Sequence, residues 1–182
     1  MSCRIVTLGV FLLSAACLAG ETQPSGIWVD VPFVKQEKDG CVAASISMVM
    51  RYWNQDPSPM LSARADPRII QRALYSGDAE GILASAMERY FQEEGFRTFV
   101  FRGEWTDLKH HLSLGRPLIV CLKESGSQRH CMVITGLDRQ RRFVFVNDPA
   151  RRKLLRLEWA EFEKSWNDAE KWTLLVVPKP GD

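Results

Sequence analysis

Gln36-Glu-Lys-Asp-Gly-Cys41-Val-Ala-Ala-Ser-Ile-Ser-Met-Val-Met50 is the stretch on which the reading of the whole chain turns. Its first five residues are polar and end in glycine, the composition of a turn. The run from Val42 is small and apolar and predicts a buried helix from Cys41 to about Trp53. Cys41 therefore stands in the first turn of that helix. Backbone N–H groups there have no intrahelical partner, and the positive end of the helix dipole favours thiolate over thiol. Such a setting can lower a cysteine pKa from about 8.5 toward roughly 3.5 to 7.5. A thiol so placed is a candidate nucleophile, and Gln36 puts an amide five positions before it.

On the amino-terminal side of this stretch, Ile27-Trp-Val-Asp-Val-Pro-Phe-Val34 alternates like a short strand, with Pro32 marking an edge or an end. On the other side, Asn54 to Pro67 is rich in Pro, Asp and Ser and is the least regular part, a candidate lining for a cleft, with two short helical pieces after it. Gly81 to Gly95 carries Ile82, Leu83, Ala86, Met87, Tyr90 and Phe91 at helical spacing, with Glu88, Arg89, Glu93 and Glu94 opposite. A strand over 96–101 and a helix from Trp105 to Leu114 follow. Strands are predicted over 117–123, 130–137, 142–148, 153–157 and 171–178, with a short helix near Ala160 to Trp166. Helices first and an antiparallel sheet after describe an α+β fold, not a doubly wound nucleotide-binding one.

Two residues of the sheet complete a chemical set with Cys41. His130 opens the apolar strand His-Cys-Met-Val-Ile-Thr-Gly136, and Asp148 closes Phe143-Val-Phe-Val-Asn-Asp148. Side chains alternate along a strand, so His130 and Met132 share one face and Cys131 and Val133 the other. A histidine at one strand start can meet a carboxylate at the end of its neighbour. Pro149 has no N–H and ends the ladder there. In such a set Cys41 attacks a carbonyl, His130 carries the proton, Asp148 orients the imidazole, and the Gln36 amide N–H faces the developing oxyanion beside the Cys41 N–H. His110 and His111 are neighbours on one helix, about 100° apart, and do not converge on one metal. They are read as surface residues, and Trp105, Trp159 and Trp166 as packing residues.

The motifs Val31-Pro-Phe-Val-Lys-Gln36, Asp39-Gly-Cys41-Val-Ala-Ala-Ser-Ile-Ser-Met48, His130-Cys-Met-Val-Ile-Thr-Gly136 and Val146-Asn-Asp-Pro149 resemble, in order, those of the bacteriocin-processing peptidases. These are papain-like domains that cut leader peptides after a double glycine. The resemblance spans about residues 28 to 150. It implies a papain-like cysteine peptidase fold, with an N-terminal helical part whose catalytic helix packs on an antiparallel β-sheet. By matching position it also implies Cys41, His130 and Asp148 as catalytic residues and Gln36 as oxyanion-hole donor. No metal or organic cofactor is expected, and the substrate is a peptide or protein. Transfer of the acyl group to an amine, or a silent domain that binds peptides or a partner protein in the same groove, are the alternatives.

The amino terminus differs in kind. Met1-Ser-Cys-Arg4 gives a positive start, Ile5 to Leu13 is almost continuously apolar, and Ser14-Ala-Ala-Cys-Leu-Ala-Gly20 is rich in small residues. That is an export signal over 1–20, too short for a transmembrane helix. It predicts a bacterial protein in the periplasm or secreted. Leu13-Ser-Ala-Ala-Cys17 also resembles a lipobox, in which case a lipidated Cys17 holds the chain at a membrane. Residues 21–27 read as a tether and 28–182 as one domain. Of five cysteines, Cys41, Cys121 and Cys131 lie beyond the signal. Cys121 and Cys131 face each other across a predicted hairpin, either as a disulfide or as two buried thiols, and Cys41 is left over. With 24 basic and 22 acidic residues spread along the chain, nothing calls for nucleic acid as a partner.

Overall fold

The computed structural model describes residues 26–54, 59–78, 81–124 and 129–180, so the expected export signal over 1–20, with its candidate lipidation site Cys17, lies outside the described residues. In chain order the elements are β1 (Gly26–Trp28), α1 (Cys41–Trp53), α2 (Pro59–Arg64), α3 (Pro67–Leu74), α4 (Ala84–Glu93), β2 (Phe96–Arg102) and α5 (Trp105–Ser113). They continue with β3 (Leu118–Lys123), β4 (Arg129–Asp138), β5 (Phe143–Asn147), β6 (Leu155–Glu158), α6 (Trp159–Asp168) and β7 (Trp172–Pro178). Six strands run in the order β2-β7-β3-β4-β5-β6, and β1 pairs with β4 beyond the end of β3; every pairing is antiparallel. The α+β expectation therefore holds, with α1 packed on β4.

The differences from expectation lie in short elements. β1 begins at Gly26, inside the expected tether, and ends at Trp28 well before Val34. After it the Val29 N–H donates to the Thr135 carbonyl (2.8 Å) and the Val31 N–H to Val29 (3.1 Å), so the backbone has left the ladder before Pro32. Gly136 permits this crossing. A Cβ there would lie 2.8 Å from the Ile27 carbonyl oxygen and 2.8 Å from the Trp28 ring, which packs on Phe145 at 4.2 Å. The amphipathic helix starts at Ala84 because Gly81 is held in a bridge to Ser76. Within the stretch expected to be irregular, Pro59–Arg64 is helical.

Helix α6 closes the sheet over β3 with a cluster of aromatic rings. Trp105 stacks on Trp159 at 3.7 Å and meets the fully buried Trp166 edge-on at 5.9 Å. Gly103 passes so close that a Cβ would lie 2.6 Å from the Trp166 ring. All three tryptophans thus pack, as expected. Trp166→Ala is expected to cost about 3 to 5 kcal/mol, read as a lower urea midpoint with little change in slope.

Candidate active site

The turn that delivers Cys41 is tight. The Gly40 N–H donates to the Glu37 carbonyl (3.1 Å), Asp39 adopts φ 55°, and a Cβ on Gly40 would lie 3.1 Å from the Glu37 oxygen. Gln71 of α3 steadies this turn from outside, donating from Nε2 to the Asp39 carbonyl at 3.3 Å. Helix α1 then starts at Cys41 with no side-chain cap and no acidic residue in its first turn. The first amides are left without a side-chain acceptor, and no first-turn carboxylate neutralises the positive end of the helix dipole. Cys41 is half-buried and is the free cysteine among the described residues. Ser45, one turn on, donates to the Cys131 carbonyl at 3.3 Å and ties the helix to β4 beside His130.

His130 and Asp148 meet across β4 and the end of β5. His130 Nε2 lies 2.7 Å from Asp148 Oδ1, and both residues are buried. With Nε2 engaged there, Nδ1 is the other ring nitrogen, and the Cys41 side chain is among the groups that raise the imidazole pKa. Burial alone pushes the imidazole pKa down. The hydrogen bonds to Asp148 and Cys41, with the charge of the carboxylate, outweigh burial and push it up to about 10. For Asp148, burial acts upward, but the His130 hydrogen bond and charge, the Ala150 N–H and Arg151 together hold the carboxyl below its ordinary range.

The two shifts act on stability in opposite pH directions. His130 binds its proton more tightly folded than unfolded, so its contribution is complete below about 6.5 and is lost as pH rises through about 10. Asp148 releases its proton more readily when folded. Its contribution is present above about 3.9 and fades as pH falls through the folded value. Thermal unfolding followed across pH is expected to show a plateau bounded by these two losses, with the alkaline loss reduced in a His130→Ala variant.

Asp148 is fixed by more than histidine. Ala150 N–H donates to Oδ1 at 2.9 Å, and Arg151 Nε lies 3.5 Å from Oδ2. The Gln36 N–H donates to the Pro149 carbonyl at 2.9 Å, so the loop before Cys41 is bonded to the turn after Asp148. Gln36 Oε1 is buried without a hydrogen-bond partner among the described residues. Sequence reasoning gave no role to Asn147. It is fully buried, donates to the Val31 carbonyl (3.0 Å) and accepts the Leu154 N–H (3.0 Å), joining the same two loops. A polar residue at the end of an apolar strand, just before the carboxylate, is the signal that points to it.

Cys121 and Cys131 stand directly opposite in the β3–β4 register and are joined as a disulfide. Their neighbours Leu122 and His130 form the adjacent pair. The histidines of α5 depart from expectation in part. His110 is exposed, but His111 is half-buried, 6.1 Å from the Phe101 ring, and burial lowers its pKa.

The sheet order, with helix α1 packed on β4 and Cys41 at its start, is that of a papain-like cysteine peptidase fold. Within that class the chain belongs to the Peptidase C39 like family, whose model matches residues 28–173. No curated protein matches the chain in sequence. In structure it is similar to a chain assigned as a C39-like peptidase from Bacillus anthracis, at 14% identity and a TM-score of 0.66 over 86% of this chain and 99% of that one. It is similar also to the peptidase domain of Streptococcus ComA, a bi-functional ABC transporter involved in quorum sensing (18% identity, TM-score 0.62, 82% and 100% covered). A third is a double glycine motif protease from an AMS/PCAT transporter, in complex with the leader peptide (23%, 0.60, 84% and 94%). At these identities the likeness is one of fold. Among the described residues no helix is long and apolar enough to cross a membrane.

Proposed function

We propose that this chain is an exported cysteine peptidase that hydrolyses peptide bonds through Cys41, His130 and Asp148, with Gln36 as oxyanion donor. One observation carries the reading: a single buried imidazole is held to a carboxylate through Nε2 at 2.7 Å, and the free thiol of Cys41 is among the groups that raise its pKa. A structural cysteine has no need of that arrangement. The sulfur adds to the scissile carbonyl, the imidazolium gives its proton to the leaving amine, and water resolves the thioester, returning a proton to His130. Membership of the C39-like family supports a peptide or protein substrate. The Cys121–Cys131 disulfide supports an oxidising compartment and hence export.

The test is incubation of the mature chain with a mixed peptide pool under mild reduction, with new termini located by mass spectrometry. Cleavage by the native chain and none by Cys41→Ala is the expected result; identical products from both would overturn it. Gln36→Ala is expected to lower kcat by about 10² to 10³ with little change in KM, because an oxyanion donor acts only on the transition state.

A further inference from the structure

A second cavity, of about 400 Å³, opens between β2, β7 and α5, away from the catalytic groups. Leu175 of its floor pairs with Leu118, and Leu118 lies four residues along β3 from Leu122, the partner of His130. That places it about 13 Å along the strand from the His130 row. Phe99, Phe101, Leu175 and Val177 form an apolar floor, and Phe99 is 45% exposed. Arg97, Arg116, His111 and Asp107 form the rim. We propose that this cavity binds a small amphipathic carboxylate, the apolar body on the phenylalanine floor and the carboxylate between Arg97 and Arg116.

Charge and size both favour that ligand. Neither Arg97 nor Arg116 has a carboxylate partner among the described residues; Arg97 instead lies over the Phe99 ring at 5.5 Å. The one acid of the rim, Asp107, is engaged in capping α5, accepting the Glu104 N–H at 2.8 Å. Burial, His110 and Arg116 together outweigh Asp107 and disfavour a charged His111, so the imidazole adds a polar wall without a favoured positive charge. The rim thus carries two guanidiniums without a carboxylate partner among the described residues and one carboxylate already engaged, a charge balance that disfavours an apolar cation and favours an anion. A volume of about 400 Å³ falls in the range of small-molecule sites. An apolar floor with a few placed polar groups is their usual make-up.

The experiment is calorimetric titration of the full chain with decanoate, decanol and propionate, with the decanoate footprint mapped by amide chemical shifts. Saturable decanoate binding at Phe99, Phe101 and His111 is expected. It should weaken by about tenfold or more in an Arg97→Ala/Arg116→Ala double variant, and decanol and propionate should each bind at least about tenfold more weakly. Binding should be unchanged in Cys41→Ala, so this site and the peptidase reading fail separately. Equal affinity for decanol and decanoate, a footprint instead in the separate cavity beside Asp148 that Met132 and Phe162 line, or no saturable binding would overturn the proposal. So would sedimentation with phosphatidylglycerol vesicles in the absence of decanoate binding, which would make the face a membrane contact.

Discussion

His130→Ala is expected to lower kcat/KM for peptide cleavage by about 10⁴ or more and, in the same variant, to slow iodoacetamide labelling of Cys41 near neutral pH. The size follows from what the proposed mechanism asks of the imidazole twice in one turnover: to hold the proton removed from sulfur, then to deliver it to the leaving amine. In triad enzymes, loss of either the nucleophile or its base removes nearly all the catalytic effect, and the effects of the members do not add. Labelling separates catalysis from folding, since alkylation needs only a reactive sulfur. Cys41 is the free thiol among the described residues, so mass spectrometry assigns the product without ambiguity there. Labelling that is equally fast with and without His130 would show a sulfur independent of the imidazole and would leave a groove that binds without cutting.

Asp148→Ala is expected to reduce kcat by roughly 10² to 10⁴ and to move the alkaline limb of the pH–rate profile downward. In the native chain the carboxylate accepts the His130 hydrogen bond at 2.7 Å and supplies the nearby negative charge, and both favour imidazolium. With them the ring keeps its proton up to about pH 10. Without them, only Cys41 is left to oppose burial, and the ring loses its proton at a lower pH. The limb is therefore expected near pH 10 in the native chain and below it in the variant, measured as kcat/KM across pH 5 to 11. An unchanged limb in a folded Asp148→Ala variant would remove Asp148 from the site and leave it as a turn residue bonded to Ala150 and Arg151. The variant also frees Arg151, a 63% exposed side chain whose lost ion pair has little energetic weight.

Most of the frame was legible because its signals are local. The small apolar residues after Gly40 announce α1, and the β3, β4, β5 and β7 runs are apolar and bounded by turns, so their limits fall within a residue or two of expectation. The pairing of Cys121 with Cys131 was legible as one of two alternatives because two strands and a short connection nearly fix the register. What escaped depends on long-range contacts. Whether Val29 and Val31 extend a strand is decided by where their N–H groups find acceptors, and Thr135 is more than a hundred residues away. Asn147 acquires its role only when the Val31 loop and Leu154 are brought against it. His111 looks like its neighbour His110 in sequence, and only the Phe101 strand distinguishes them.

The disulfide also bears on how the proposed nucleophile survives oxidation during folding. The three cysteines among the described residues allow three pairings, and two of them consume Cys41. The pairing found has a sequence separation of 10. The wrong ones would close loops of 80 residues (121 − 41) or 90 residues (131 − 41). Loop-closure entropy penalises the longer loops by about 2 kcal/mol. A hairpin contact also forms within microseconds, long before thiols oxidise. The strand register thus acts as a chaperone for the reactive sulfur: the two cysteines that could capture it find each other first.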